Sequence, residues 1–496
     1  MRVAAVVCLA VGVSCHGQAD VSQPAPQPKP KPAAVPTPPE PVKPAEPATP
    51  PPPPPTTVTH VAPGGIEETC QLLVEFPYKP PDVVADPKEM RWYRKDDFEE
   101  IADLCKMSLY APETTDTVTA VGVCPKTHWS TPALEVHAID QVGMKKADFE
   151  KSRCRKDRRY RGAKKVAKFK VAVYDKEPES GRMYFHYSRL LGINAYMVPV
   201  TYRTISRREI KRWATTAIST LTSRTLARMN PLEGWSVLNW RHRKGGDVIA
   251  GSFYENARGE DDFRAFSYSR PEVRIAVIWQ FRGRPYYNIA ASKKPLSEQM
   301  TFDTEHPRKF DQQLQLLAQA QDFTHMMILD HLFNQRDRGG NINARTRYHY
   351  LDDQKHLRWK KTVGKDDDEA TMVPLERLLL KDNDDGLRWD KFGLLNASLI
   401  IDDIKHIDSL AYARIQWLAK VMTDPATRDG VKTYFIEEVR VSPKSYDDVR
   451  LRLIDLAARF ARKYADGKLL LDLDLEPVLA MRPPNRDAVA RKPGKQ

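Results

Sequence analysis

Residues 23–57 cannot build a core. They are dominated by Pro, Ala, Lys and Glu and end in an unbroken proline run at 50–55. Proline locks φ and removes a backbone donor, so such a stretch extends as polyproline II instead of packing on itself. At ~3.1 Å per residue it reaches on the order of 100 Å. The residues that fold must therefore come after it, in the roughly 420 positions from 61 to 482, which is enough for one large domain or two lobes. The expected organisation is a leader at 1–19, a disordered proline-rich linker at 20–60, a strand-rich lobe at 61–300, a helical lobe at 301–482 and a disordered basic tail at 483–496.

The leader has one positive charge and then a short apolar run, the shape of an export signal and too short to span a bilayer. Gly17-Gln18-Ala19 offers small residues for plain cleavage. Gly12-Val13-Ser14-Cys15 resembles a lipoprotein signal, with Gly12 where that motif usually has Leu; a lipidated Cys15 would then anchor the chain to a membrane. A stiff spacer behind an export signal suits a domain lifted off a membrane or through a wall. The expected location is the periplasm, outer membrane or cell surface of a bacterium.

Of the six cysteines, Cys8 and Cys15 fall in the leader. Cys70, Cys105, Cys124 and Cys154 are widely spaced with no CxxC, which disfavours zinc. In an oxidising compartment they read as two disulfides with three pairings open. The net charge of +13 concentrates at 145–170 and 203–228. No nucleic-acid motif accompanies it, so anionic lipid, a phosphate-rich polymer or nucleotide phosphates are the expected partners and nucleic acid is not.

Periodicity predicts helices at 96–109, 182–191 (stopped by Gly192), 207–229, 309–333, 394–404, 410–422 and 446–464. It predicts strands at 134–139, 165–174, 194–202 and 273–281, with 285–291 as the hairpin partner of the last. A further hairpin is expected from 349–351 and 357–362 around Asp353 and Gln354. Strands first and helices later point to an α+β arrangement of two lobes with a cleft between them.

The chemistry concentrates in Asn334-Gln335-Arg336-Asp337-Arg338-Gly339-Gly340-Asn341, a glycine turn after a long helix, and in Asp366-Asp367-Asp368-Glu369 downstream. Phosphoryl transfer uses this inventory: a carboxylate at the attacking hydroxyl, then an Asn and another carboxylate for the metal on the phosphates. The turn resembles the catalytic loop of the atypical kinases, a group that includes the phosphoinositide 3- and 4-kinases, HipA-type kinases and the secreted casein kinases. It is also similar to uncharacterised exported bacterial proteins with Gln-Asp-Arg-x-Gly-Asn in this place. The resemblance covers about 134–396.

It implies a two-lobed protein-kinase-like fold that binds ATP with Mg or Mn and phosphorylates a hydroxyl of unknown acceptor. Asp337 matches the catalytic carboxylate and Asn341 a metal ligand, with Asn343 as fallback. Asp368, with Asp367 as alternative, matches the main metal carboxylate. Lys170, with Lys168 close behind, matches the phosphate-binding strand lysine, and Glu177 or Glu179 its helix partner, although Gly181 aligns best by length. Asp337 stands one residue late relative to the shared pattern. A catalytically inactive pseudokinase or envelope-tethered binding module is therefore the second expectation. Asp382-Asn383-Asp384-Asp385-Gly386 has some calcium-loop character but misplaces the Gly and the bidentate Glu, and reads as a turn.

Overall fold

The computed structural model of the chain describes residues 57–79, 93, 95–127, 131–155, 162–172, 178–193, 196–222, 229–241, 245–255, 284–335, 338, 342–353, 355–360, 362–364, 367–368, 371–380, 383, 386–387 and 400–483. The strands are β1 (Thr57–Ala62), β2 (Ile66–Gln71), β3 (Met107–Ser108), β4 (Thr119–Pro125), β5 (Ala133–Ala138), β6 (Lys165–Val171), β7 (Tyr196–Met197), β8 (Val200–Ser206), β9 (Val248–Glu255), β10 (Ile342–Leu351), β11 (Leu357–Lys360), β12 (Val373–Leu380), β13 (His406–Ile407) and β14 (Leu470–Leu471). The helices are α1 (Lys95–Lys106), α2 (Lys146–Arg153), α3 (Pro178–Leu190), α4 (Arg207–Thr222), α5 (Met229–Arg241), α6 (Pro285–Ala291), α7 (Leu296–Gln299), α8 (Pro307–Phe333), α9 (Ser409–Val421), α10 (Arg428–Thr433), α11 (Pro443–Ala465) and α12 (Leu475–Ala480). A π-helical turn, Tyr434–Glu438, follows α10.

The N-terminal region is sheet-rich. Its eight strands run in the order β1-β2-β8-β9-β6-β5-β4-β3. Side chains alternate along β6, so its two faces meet different partners. Ala167, Phe169 and Val171 join Ile249 and Phe253 against Trp213, Ala214 and Ala217 of α4. Lys168 and Lys170 take the other face, where α3 lies: Arg182 of α3 donates to the Gly251 carbonyl at 3.3 Å and to Ser252 Oγ at 2.6 Å. Two disulfides pin this region, Cys70–Cys105 from β2 to α1 and Cys124–Cys154 from β4 past the end of α2. They close loops of 35 and 30 residues, each of which stabilises the fold by about 3.7 kcal/mol in the chain-entropy account.

The C-terminal region is mostly helical. Its four-stranded sheet, β11-β10-β12-β7, packs on α8 through Val373 and Leu375 against Phe310, Leu314 and Leu317. The largest apolar cluster joins α3, the C-terminal half of α8, α9 and α11. Among the described residues no helix is long and apolar enough to cross a membrane.

Local chemistry explains where the elements depart from expectation. The strand expected at 194–202 divides at Val198-Pro199: β7 pairs with β12 and β8 with β9, in two different sheets. A proline has no N–H for a ladder, so the chain changes partners there. The strand expected at 285–291 is instead α6, with Pro285 in its first turn, where a missing N–H costs nothing; its expected partner at 273–281 lies outside the described residues. Of the helix expected at 207–229, Arg207–Thr222 forms α4, 223–228 lie outside the described residues, and Met229 opens α5. Residues 400–403 form turns and not the end of a helix, and 394–399 lie outside the described residues. The fold begins at Thr57, inside the expected linker. The hairpin at 349–362 is present, with Leu351 opposite Leu357.

Candidate functional site

The long helix α8 supplies the carboxylates of two buried Arg–Asp pairs, which fix β12 and Arg338 against it. Arg377 of β12 donates to Asp322 at 2.6 and 2.9 Å, and the Leu378 amide adds a third bond to the same carboxylate. This clamps β12 on the helix and sets its register. Eight residues on, Arg338 donates to Asp330 from Nη2 at 2.6 Å and from Nε at 2.8 Å. Tyr184 of α3 donates to the same carboxylate at 2.7 Å. The side chains of Asp330 and Arg338 are 0% and 4% exposed, so neither charge has water to fall back on. Burial opposes the Arg338 charge, but Asp330 more than offsets it and holds the guanidinium above its ordinary value.

Asn334 ends α8 in the left-handed region at φ 51°, its amide bonded to the Asp330 and His331 carbonyls. Asn tolerates that conformation better than most side chains. Gln335 adds a bond to the Asp330 carbonyl.

The register of β10 on β12 then decides what meets this turn. Ile342 lies opposite Leu380, so the residues after β12 arrive where the residues before β10 left. Asn383 Oδ1 accepts from Arg338 Nη2 at 2.9 Å. Its carbonyl accepts from Ser180 Oγ, in the first turn of α3, at 2.6 Å. The Leu387 amide donates to the Phe333 carbonyl at 2.6 Å, satisfying a helix-end acceptor. Between them sits Gly386. A Cβ there would fall 2.3 Å from Ser180 Oγ and 3.1 Å from the Phe333 carbonyl, so glycine is required by close approach. Three segments distant in sequence therefore converge: the end of α8 with Arg338, the residues Asn383, Gly386 and Leu387, and the first turn of α3.

The strand lysines lie on the sheet face that carries Ser252 and Tyr254. Lys170 lies opposite Ser252 and Lys168 opposite Tyr254, which puts both lysines on the α3 face. Lys170 is 4% exposed, with Nζ 5.4 Å from the centroid of the Tyr254 ring; Lys168 is half-buried. The Tyr254 hydroxyl lies 3.5 Å from the Pro178 carbonyl. Glu179 points the other way: its carboxylate accepts from the Ser442 amide at 2.8 Å, from Ser442 Oγ at 3.0 Å and from Ser445 Oγ. It thus holds the start of α11, and the structure does not bring it to Lys170 by any of these bonds.

Asp367 and Asp368 sit elsewhere. Asp367 accepts from Lys360 Nζ and from the Gly364 amide; the Lys360 bond, followed by the amide, holds its carboxyl below the ordinary value. The Asp368 carbonyl closes a turn with Thr371. Lys360 is opposite Tyr348 on β10, six residues beyond the Ile342–Leu380 pair, or about 20 Å at ~3.3 Å per residue. Asp367 is thus bonded to a lysine six register positions along β10 from the strand end nearest Arg338 in sequence. The cause is the antiparallel pairing, which carries β12 the length of β10 before its chain returns to the turn.

Asp337, Asn341 and Glu177 lie outside the described residues, as does the side chain of Asn343. Among the described residues no three His, Cys, Asp or Glu side chains gather as metal ligands. Sequence reading set aside 382–386 as a turn. The usable signal was positional: a glycine after an acidic run, directly behind β12, which pairs with the strand that follows the Asp-Arg pair.

No family model matches the chain. No curated protein matches it either. Among solved structures it is similar to the one described as "Crystal structure of the golgi casein kinase", at 11% identity over 76% of this chain and 80% of that chain, with a TM-score of 0.40. A likeness of that depth does not decide a fold family.

Proposed function

We propose that the protein is an extracytoplasmic kinase-like phosphotransferase that binds ATP with Mg or Mn and phosphorylates a hydroxyl of an acceptor still to be found. One observation carries the reading. Arg338, Asn383 and Ser180 form a continuous set of bonds, and the Lys170 strand meets the same helix turn through Tyr254. Phosphoryl transfer asks for this convergence of a strand lysine, an Asp-Arg turn and a metal-binding segment.

In this reading the acceptor hydroxyl attacks the γ-phosphorus, its proton passes to the Asp337 carboxylate, and ADP leaves as the bond to the β-phosphate breaks. Asp337 is the chain neighbour of Arg338, whose anchoring on Asp330 limits where the turn can go. Lys170 supplies a point charge to the phosphates, with Lys168 beside it.

The metal would be held by Asn341 and by carboxylates flanking Asn383, namely Asp382, Asp384 or Asp385, in preference to Asp368 and Asp367. Such oxygen donors suit a hard dication, which would neutralise charge developing on the phosphates. The two disulfides support an oxidising compartment. An export leader, a lipidated Cys15 and a proline spacer complete the proposed envelope location, and mass spectrometry of the mature N-terminus tests it.

A thermal-shift titration tests the site. ATP with Mg or Mn should raise the melting temperature of the wild-type protein, the Asp384→Asn/Asp385→Asn variant should lose the rise, and Asp367→Asn/Asp368→Asn should keep it. No rise with any nucleotide would favour the second reading, an inactive binding module, to which the commitment of Glu179 to Ser442 and Ser445 lends support.

A further inference from the structure

Arg182 and His186 lie two positions along α3 from Ser180 and Tyr184, about 200° around a helix of ~3.6 residues per turn. They line a separate pocket on the helix face away from the Asp-Arg turn. Its other walls come from the end of β2, the start of β8 and the π-helical turn that carries Tyr434 and Glu438. The interior has room for one water-sized group. Counting protons fixes what His186 offers there. Tyr434 donates to the Val74 carbonyl at 3.1 Å, which spends its one proton. The 2.7 Å bond between the two phenols is therefore donated by Tyr93, and the 2.5 Å bond between Tyr93 and His186 Nδ1 is donated by the ring. A 3.3 Å approach to Tyr434 falls on the same nitrogen. Nε2 is left as a bare acceptor with no partner among the described residues, on a side chain 6% exposed. Burial and the Arg182 charge keep the imidazole neutral.

The second acceptor is Glu438, 8% exposed. Its Oε2 takes a 3.3 Å bond from Gln71, and Oε1 has no partner among the described residues. No cation among them is bonded to it. Arg440 pairs with Glu437 at 3.3 Å, and Arg182 donates to the Val439, Arg440 and Gly251 carbonyls and to Ser252. A buried carboxylate without a cation is costly, and burial pushes this carboxyl above its ordinary value. We propose that the pocket binds a primary alkylammonium, its head donating to His186 Nε2 and the Glu438 carboxylate and its chain leaving along Leu73, Val74 and Val200. An ammonium head has the N–H donors for both acceptors and the charge for Glu438. The pocket's own donors on Gln71, Thr201 and Tyr434 are turned to protein oxygens. The site does not depend on phosphotransfer.

The test reads the imidazole directly. Full-length protein carrying nitrogen-15-labelled histidine is followed by NMR, and the His186 ring signals are identified by their loss in His186→Gln. In the free protein the proton should sit on Nδ1; an Nε2–H tautomer overturns the site. Ethylammonium chloride should shift the Nε2 signal saturably. Tetramethylammonium chloride, a cation without N–H donors, and ethanol, a neutral chain of the same length, should not. Glu438→Gln, first shown by circular dichroism to be folded, should weaken the apparent affinity for ethylammonium by about fivefold or more. A missing or unsaturable shift overturns the proposal. So does an equal shift with tetramethylammonium or ethanol, or an unchanged affinity in Glu438→Gln. Should that variant not fold, the three ligands compared on the wild-type protein decide alone.

Discussion

Two acidic runs flank β12, and they have opposite fates. Residues 366–369 and 382–385 are alike in composition. The first lies at the outer end of the hairpin, where Asp367 is bonded to Lys360 and Gly364 within its own turn. The second surrounds Asn383, which is bonded to Arg338 and Ser180 from two other parts of the chain. Carboxylate content therefore says little about a site. What distinguishes Asn383 from Asp367 is which end of an antiparallel strand each follows or precedes, and β12 is eight residues long.

The comparison can be broken most severely at its anchor. Arg338→Ala would leave Asp330 charged and buried, and loss of one partner from such a pair costs about 3–5 kcal/mol; urea unfolding should show it together with loss of any nucleotide-dependent stabilisation. Gly386→Ala comes next, because its Cβ would fall 2.3 Å from Ser180 Oγ and 3.1 Å from the Phe333 carbonyl, a strain of about 1–3 kcal/mol. The matching change at the outer turn, Gly364→Ala, meets only the flexible Asp367 carboxylate at 3.3 Å; its denaturant midpoint should stay close to wild type. Equal losses at the two glycines would refute the distinction.

Acid lability sharpens the same contrast. Burial, reinforced by Arg182, pushes His186 of α3 down to about 3, and burial with Arg452 does the same for His331 of α8. The unfolded chain takes up these protons near pH 6.5 while the folded chain refuses them. Stability is therefore complete above that pH and falls as pH drops from about 6.5 toward 3, by up to about 1.4 kcal/mol per unit for each histidine. Chemical denaturation between pH 7.5 and 5 should show the decline, and His186→Gln should flatten it. The smallest effect is expected from Asp367→Asn at the outer turn: an exposed pair with Lys360 should leave the melting temperature and any nucleotide response unchanged.

Much of this was legible from residues alone. The 3.6-residue pattern of 309–333 reports α8 because a helix buries a stripe whichever neighbours it finds. The alternation at 165–171 reports β6, and with it the shared face of Lys168 and Lys170. Four widely spaced cysteines without a CxxC report two disulfides in an oxidising compartment, although three pairings remained equal until Cys70 met Cys105. Asp367 and Asp368 were favoured over 382–386 because local spacing from the hairpin and from Pro374 was the guide available, and spacing along a chain does not say which way a strand returns. Glu179 was chosen as a lysine partner for its place on the helix, and α11, some 260 residues away, claimed it.

By itself the sequence determined that a proline-rich segment precedes the residues that fold, that strands come before helices, and that an Asp-Arg pair and two glycines follow a long helix. These follow from backbone constraints and periodicities that operate within a few residues. Only the tertiary structure decided that Gly386 must lack a side chain, that Tyr254 fills the space at Gly181, and that Asn383 joins Arg338 to α3. Those choices depend on which surfaces meet across hundreds of residues, and close packing and buried charge, which set them, leave no local pattern in the chain.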